Sequence, residues 1–178
     1  MHHCQPLPRL WLMTDERQGD ALWNALERLP CGAGIVFRHN RLAPTERRAL
    51  FDRVRRIARR RGLVLLLAGT PQLADAWGAD GSHGRGPARE GGLRSAAVHD
   101  LAEIRAAERN GADFLFLSPV FVTRSHPGAR LLGALGFGRL ARRTHLPVIA
   151  LGGMNARRGR RLERLGAYGW AGIDAWSG

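Results

Sequence analysis

The sequence contains no lysine, and all 28 of its basic residues are arginine. This absence excludes mechanisms that need a Schiff-base lysine and nucleotide sites that need a P-loop lysine. The two cysteines, Cys4 and Cys31, are too few for a disulfide framework, which is typical of a reducing compartment. No apolar run approaches the roughly 18 residues of a membrane span, and no secretory signal pattern is visible. We therefore expect a cytoplasmic protein with no membrane partner.

The formal charge is +13, because 15 acidic residues oppose the 28 arginines. A strongly basic chain often binds nucleic acid or another anionic surface. Here the arginines of segment 53–61 alternate with apolar residues at helical spacing, which indicates the solvated face of an amphipathic helix. No aromatic residues interleave with them as a base-stacking surface would require. We expect no nucleic-acid partner. The alternative is nucleic-acid binding through arginine, and a steep fall of its affinity with ionic strength would reveal it.

Short apolar runs alternate with helical patterns along the chain. The runs start about 22 residues apart on average, which is the period of a repeated βα unit. The predicted strands are 10–14, 34–38, 63–68, 79–83, 93–98, 113–118, 147–151 and 168–173. The predicted helices are 20–29, 44–61, 71–77, 101–110, 131–144 and 155–165. Glycines predicted to end helices are Gly62, Gly78, Gly111 and Gly166.

Eight βα units predict a (β/α)₈ TIM barrel that occupies residues 10–178 as one domain, after an N-terminal extension of residues 1–9. The fold usually takes about 250 residues, so this barrel must be shortened. Segment 84–92 is too short and too rich in glycine for a full helix. We expect a reduced or missing helix between strands 4 and 5. The alternative is an open doubly wound sheet with fewer strands.

Anion-binding residues are predicted at the carboxyl ends of strands 6 and 7, where barrels of this class place their active sites. Gly152 and Gly153 follow strand 7 and precede a helix, so the backbone could approach an anion closely. Thr123, Arg124 and Ser125 follow strand 6 and can all donate hydrogen bonds to phosphate.

Two histidines are predicted at the same end of the barrel. His83 ends strand 4 and His126 lies in the loop after strand 6. Either could act as a general acid or base near neutral pH.

Several segments resemble, in order and spacing, those of thiamine-phosphate synthases. They are 10–15, 79–83, 114–121, 123–128 and 147–154, and the likeness runs from about residue 10 to residue 176. This family, which also includes thiazole tautomerases, is built on a (β/α)₈ barrel. Its synthases couple a pyrimidine pyrophosphate to a thiazole phosphate and release pyrophosphate with the help of Mg²⁺. The resemblance implies a transferase of thiamine biosynthesis whose partners are phosphorylated heterocycles.

The family motifs are incomplete in this chain. Of the strand-two motif Gln-x-Arg-x-Lys, which holds the pyrophosphate, only Arg38 is kept, because Val36 and Asn40 replace the other two residues. The strand-three Asn-Asp pair, whose Asp binds Mg²⁺, falls on Ala68 and Gly69. The second metal-binding Asp has no clear counterpart in the shortened segment. The resemblance thus implies Mg²⁺ but does not supply its ligands.

Further departures follow strands 5, 6 and 8. The strand-five Ser is replaced by Ala97, although the neighbouring His99 remains, and the strand-six Lys is replaced by His126. The phosphate-binding Ser after strand 8 is replaced by Asp174, whose charge would repel phosphate. The catalytic His of the tautomerases falls on Pro119.

We expect a thiamine-phosphate-synthase-like protein with His126, His83 and Arg38 as catalytic residues. The alternatives are a catalytically impaired or regulatory barrel that binds a phosphorylated ligand, and a thiazole-tautomerase-like enzyme. A homo-oligomer is compatible with the sequence.

Overall fold

A computed structural model describes residues 6–84, 91–123, 128 and 130–176. Its eight strands close into a barrel in sequence order, and β1 pairs with β8 in parallel, as every neighbouring pair does. The closed barrel confirms the TIM-barrel prediction and excludes the open sheet. The strands are β1 Leu10–Met13, β2 Gly34–Phe37, β3 Val64–Ala68, β4 Gly81–His83, β5 Leu93–Val98, β6 Phe114–Leu117, β7 Val148–Leu151 and β8 Gly169–Gly172.

Six α-helices connect the strands in the described part of the chain. They are α1 Ala21–Arg28, α2 Pro44–Arg61, α3 Pro71–Trp77, α4 Leu101–Arg109, α5 Gly133–Ala141 and α6 Ala156–Glu163, with a short 3₁₀ turn at Glu16–Gln18. Only residues 84–92 separate β4 from β5, and residues 85–90 lie outside the description. No helix among the described residues is both long and apolar enough to cross a membrane.

Local sequence explains most helix boundaries. Proline occupies the first position of α2 and of α3, where its missing N–H leaves no helical bond unmade. Gly62 and Gly78 end these two helices in the left-handed conformation, with φ of 62° and 70°. Helix α5 is shorter than predicted, because the chain before Gly133 bonds back to the β6 loop: the Leu132 N–H donates to the Pro119 carbonyl at 3.0 Å.

Aromatic rings fill the barrel interior. Trp11 is fully buried, with ring centroids 5.0 Å from Phe114 and 5.5 Å from Phe116. Gly34 lies opposite Trp11, and a Cβ at Gly34 would stand 2.2 Å from Trp11 Cε3. The indole therefore occupies space that any larger residue at position 34 would need.

The segment before β1 packs against the amino end of the barrel. The Trp11 indole N–H donates to the Pro8 carbonyl at 2.7 Å, and the Tyr168 hydroxyl donates to the Leu7 carbonyl at 2.8 Å. The Trp170 N–H donates to the Arg9 carbonyl at 2.8 Å. Residues 7–9 thus contact the barrel, and the domain boundary after residue 9 stays a prediction.

Gly34→Ala should destabilise the protein by about 1–3 kcal/mol, because the new methyl group overlaps the Trp11 ring. Denaturant unfolding measures the change. Gly136→Ala is the matched control: it lies within α5, and its Cβ would meet only Leu132 Cβ at 3.6 Å. The control should be neutral or stabilising by up to about 1 kcal/mol. Equal effects of the two variants would contradict this packing.

Candidate functional site

A cavity of about 350 Å³ opens at the carboxyl ends of the strands. The loops after β2, β5, β6, β7 and β8 line it, which is where barrels of this kind place their active sites. Pro119, Leu151, Met154 and Ile173 form its apolar wall. The polar side chains that line it are Arg38, His99, Ser118, Thr123, Asn155 and Asp174.

The two glycines after β7 let the β6 and β7 loops lie side by side. Val120 N donates to the Leu151 carbonyl at 2.9 Å, and Phe121 N donates to the Gly152 carbonyl at 3.1 Å. A Cβ at Gly153 would stand 2.4 Å from the Val122 carbonyl oxygen. Gly153 also has a φ of 60°, a conformation that other residues rarely adopt. Loop packing therefore requires glycine here, whether or not an anion binds.

Arg158 fixes this pair of loops from the outside. Its guanidinium donates to the Gly153 carbonyl and stands over the Phe121 ring at 4.7 Å. The Asn155 side chain accepts a hydrogen bond from the Arg158 N–H at 3.0 Å and caps α6. Gly152, Gly153 and Thr123 all line the cavity. Their role in phosphate binding stays a prediction.

We expect inorganic phosphate to raise the melting temperature, and Gly153→Ala should shift the β6 loop and reduce that rise. Gly133→Ala is the matched control, because Gly133 has a similar φ of 64° but open space around its Cβ position. The control should cost about 1–2 kcal/mol for the backbone conformation alone, and Gly153→Ala a further 1–3 kcal/mol or so for the overlap. An unchanged phosphate response in Gly153→Ala would count against the site.

Arg38 reaches the cavity and is held there by the end of β1. Its Nε donates to the Thr14 carbonyl at 2.7 Å, and its Nη2 contacts Asp15 Oδ2 at 3.0 Å. Burial lowers the pKa of Arg38 from its usual value, against the opposing charge of Asp15. Arg38 is therefore well placed to meet an anion, but Asp15 offsets part of its charge.

Thr14, Asp15 and His39 position Arg38, although none of them was predicted as a site residue. Thr14 Oγ1 accepts a hydrogen bond from the Arg38 N–H at 3.0 Å and lies 2.9 Å from His39 Nδ1. Burial raises the pKa of Asp15, but hydrogen bonds from Arg17 and the charge of Arg38 outweigh this effect and hold it below its usual value. Their position after β1 and β2 is the signal that could have found them.

His83 lies inside the barrel and not among the residues that line the cavity. Its Nδ1 is 2.9 Å from Ser95 Oγ, and its ring meets Phe116 edge-on, with centroids 5.3 Å apart. Burial, together with the charge of Arg38, lowers the pKa of His83 to about 4. His83 is therefore neutral at pH 7 and is not a reservoir of protons there. Its predicted catalytic role stays a prediction.

Because its pKa is lowered to about 4, His83 should make the protein lose stability in acid. An unfolded histidine titrates near pH 6.5, so between about pH 6.5 and pH 4 the unfolded chain binds a proton that folded His83 does not. The free energy of unfolding should fall with acidification in this window, by up to about 1.4 kcal/mol per pH unit. His83→Asn keeps a hydrogen-bonding group and should remove this contribution. Chemical denaturation from pH 7 to pH 4 compares parent and variant, and a difference that does not change with pH would contradict the assignment.

Three predicted site residues, Arg124, Ser125 and His126, lie outside the described residues. Asp174 is described and lines the cavity, as does Pro119 at the position where the tautomerase histidine was expected. The Asp174 carboxylate thus lies in the same cavity as Arg38.

Within the described ranges the residues do not fit a magnesium site. No group of three or more His, Cys, Asp or Glu side chains there could hold a metal ion. The end of β3 carries Ala68 and Gly69, and the Arg47 guanidinium already donates to the Ala68 carbonyl at 2.7 Å. Both Asp15 oxygens are engaged by arginines. A positive charge therefore stands where the family resemblance implied a carboxylate ligand.

His99 lines the cavity and was not among the predicted site residues, although the family's strand-five motif keeps it. It follows β5 directly, and its Nδ1 lies 2.7 Å from Glu103 Oε2. The i, i+4 spacing of these two residues at the start of α4 is a signal visible in the sequence.

Comparison with known proteins identifies the family of this chain. The family model described as thiamine monophosphate synthase matches residues 10–176. The chain belongs to the thiamine monophosphate synthase family.

Relatives of this family align with nearly the whole chain. A protein of Aquifex aeolicus that carries the provisional name thiamine-phosphate synthase 2 is 32% identical, over 94% of this chain and 97% of its own. The thiamine-phosphate synthase of Pyrococcus furiosus is 29% identical, over 96% of this chain and 87% of its own. The solved structure of thiamine phosphate pyrophosphorylase from Pyrococcus furiosus superposes with a TM-score of 0.79 at 27% identity, over 97% of this chain and 88% of that one.

Proposed function

We propose that this protein forms thiamine phosphate by coupling a pyrimidine pyrophosphate to a thiazole phosphate, with release of pyrophosphate. The observation that carries the proposal is the cavity of about 350 Å³ at the carboxyl end of the barrel, in a chain whose relatives bear the name of that synthase. Its volume lies within the usual range for small-molecule sites. We also propose a cytoplasmic location, on the grounds of cysteine content.

The residues of the cavity divide into an apolar part and an anion-binding part. Leu151, Met154 and Ile173 suit the faces of two heterocycles. Arg38 would meet the pyrophosphate, and the backbone after β7 would meet the phosphate. Thr123, which lines the same cavity, would donate a hydrogen bond to this phosphate.

Turnover should be much slower than in a synthase with its full set of cationic and metal-binding residues. The departing pyrophosphate gains negative charge, and offsetting that charge lowers the barrier. Here Arg38 is paired with Asp15, and Asp174 adds a negative charge to the cavity. No step is assigned to Mg²⁺, because the described residues do not fit it.

The second candidate is a barrel that binds a phosphorylated heterocycle without turning it over. The observation that favours it is the Arg47 guanidinium, which reaches from α2 to the Ala68 carbonyl at the end of β3, where the family has a metal-binding carboxylate. This candidate shares the cavity and the ligand class with the first one.

The deciding experiment supplies both heterocyclic substrates and measures thiamine phosphate by chromatography, with calorimetric binding of thiazole phosphate alone in parallel. Slow formation of thiamine phosphate would support the synthase. Binding without any product would favour the second candidate. Absence of both would overturn the proposal.

Free protein should not be stabilised by Mg²⁺, because the described residues offer no cluster of carboxylates to bind it. A thermal melt with and without millimolar MgCl₂ measures this, with NaCl at matched ionic strength as the control. The substrates are left out, since pyrophosphate binds Mg²⁺ itself. Stabilisation that saturates with Mg²⁺ would show that a metal site exists in this protein.

A further inference from the structure

The strongest feature that the proposed function leaves unused is the pair formed by His99 and Glu103. Glu103 Oε2 accepts two hydrogen bonds from His99, one from the backbone N–H at 2.8 Å and one from ring Nδ1 at 2.7 Å. The His99 ring lines the cavity, and its side chain is 48% exposed. A helix cap alone explains the bond to the backbone but not the bond to the ring.

The Glu103 carboxylate determines which nitrogen of the His99 ring is left to contact a ligand. With Nδ1 bonded to Glu103, the proton is held on Nδ1 and Nε2 becomes the nitrogen left for a ligand. No hydrogen bond from Nε2 to another described residue is seen.

The described lining residues carry little positive charge to meet a pyrophosphate. A pyrophosphate ligand brings several negative charges, and Asp174 adds another. Arg38 is the one arginine among the described lining residues, and Asp15 pairs with it. His99 is the other lining residue there that can carry positive charge.

We propose that His99, positioned by Glu103, donates a proton and a hydrogen bond from Nε2 to the pyrophosphate as it leaves. The inference rests on the proposed function, because it assigns a residue to the leaving group of that reaction. In the protonated ring Nδ1 stays bonded to Glu103 while Nε2 faces the ligand. Glu103 is a positioning residue, and His99 is the residue that touches substrate.

The C–O bond between the pyrimidine methylene and pyrophosphate breaks, and its electron pair goes to the pyrophosphate oxygen. That oxygen takes the proton from Nε2 of the imidazolium, which becomes neutral imidazole. The lone pair of the thiazole nitrogen forms the new C–N bond, and the imidazole regains a proton from water.

Several charged groups lie around His99. Glu103 stands beside the ring, and Asp100 accepts the Glu103 N–H at 2.8 Å. Arg38 and Asp174 line the same cavity from the ends of β2 and β8.

The first test measures the affinity of inorganic pyrophosphate by calorimetry between about pH 8 and about pH 6, without Mg²⁺, for the parent and His99→Gln. The ligand titrates in the same range, so the readout is the affinity ratio of parent to variant at each pH. We expect the ratio to rise severalfold, up to about tenfold, as pH falls, because only the parent gains a charge-assisted hydrogen bond. A ratio that does not change with pH would overturn the inference.

His145→Gln is the matched control. His145 also lies near a glutamate, 3.9 Å from Glu108 Oε1, but it precedes β7 at the opposite end of the barrel. The affinity of His145→Gln for pyrophosphate should equal that of the parent at every pH. If His145→Gln changed the ratio as much as His99→Gln, general surface charge and not His99 would explain the effect, and the inference would fail.

Glu103→Gln tests positioning. The variant keeps an acceptor for the His99 backbone N–H but loses the charge that holds the ring, so the pH-dependent gain in affinity should shrink while the fold is kept, as judged by circular dichroism. A gain equal to that of the parent would show that Glu103 only caps α4 and would overturn its role.

Turnover separates this inference from the proposed function. If no thiamine phosphate forms but the pH-dependent ratio is found, the proposed synthase fails and the contact between His99 and pyrophosphate stands. If thiamine phosphate forms and kcat in His99→Gln matches the parent at every pH, the inference fails while the synthase stands.

Discussion

The site depends on the close approach of two backbones, the loop after β6 and the loop after β7. Hydrogen bonds from Val120 and Phe121 to the β7 side join them, and no side chain could be accommodated at Gly152 or Gly153 without parting them. This contact forms one wall of the cavity, and Arg158 closes it from outside. Because these loops carry the residues that would meet a phosphate, the packing constraint and the proposed function share the same two glycines.

A net charge of +13 says little about the charge inside the cavity. Arg38 is paired with Asp15, Arg47 bonds to backbone carbonyls at the ends of β2 and β3, and Arg158 bonds to the Gly153 carbonyl. Each of these guanidiniums fixes backbone geometry as well as carrying charge. Among the described residues, the cavity lining thus has one arginine, Arg38, and it is paired with Asp15. A histidine held by a carboxylate gains importance in such a setting.

The barrel could be predicted from the sequence, because apolar runs, prolines and glycines act locally and each strand has its own apolar run. It was less informative about the site. That Thr123, Gly152 and Gly153 lie at the carboxyl end of the barrel could be predicted from their positions after strands 6 and 7, and their role in phosphate binding stays a prediction. The contact of Thr14 with Arg38 could not, because it joins residues that only strand pairing brings together. The neutral state of His83 also depends on burial beside Phe116, which periodicity does not reveal.

We infer that the cavity at the carboxyl ends of the strands receives the phosphorylated ends of two heterocycles, with His99 at the pyrophosphate. A crystal structure with thiazole phosphate and inorganic pyrophosphate bound tests it most directly. We expect a pyrophosphate oxygen within about 3 Å of His99 Nε2, and the thiazole phosphate beside Gly153. Both ligands bound elsewhere on the barrel, with this cavity filled only by water, would contradict it.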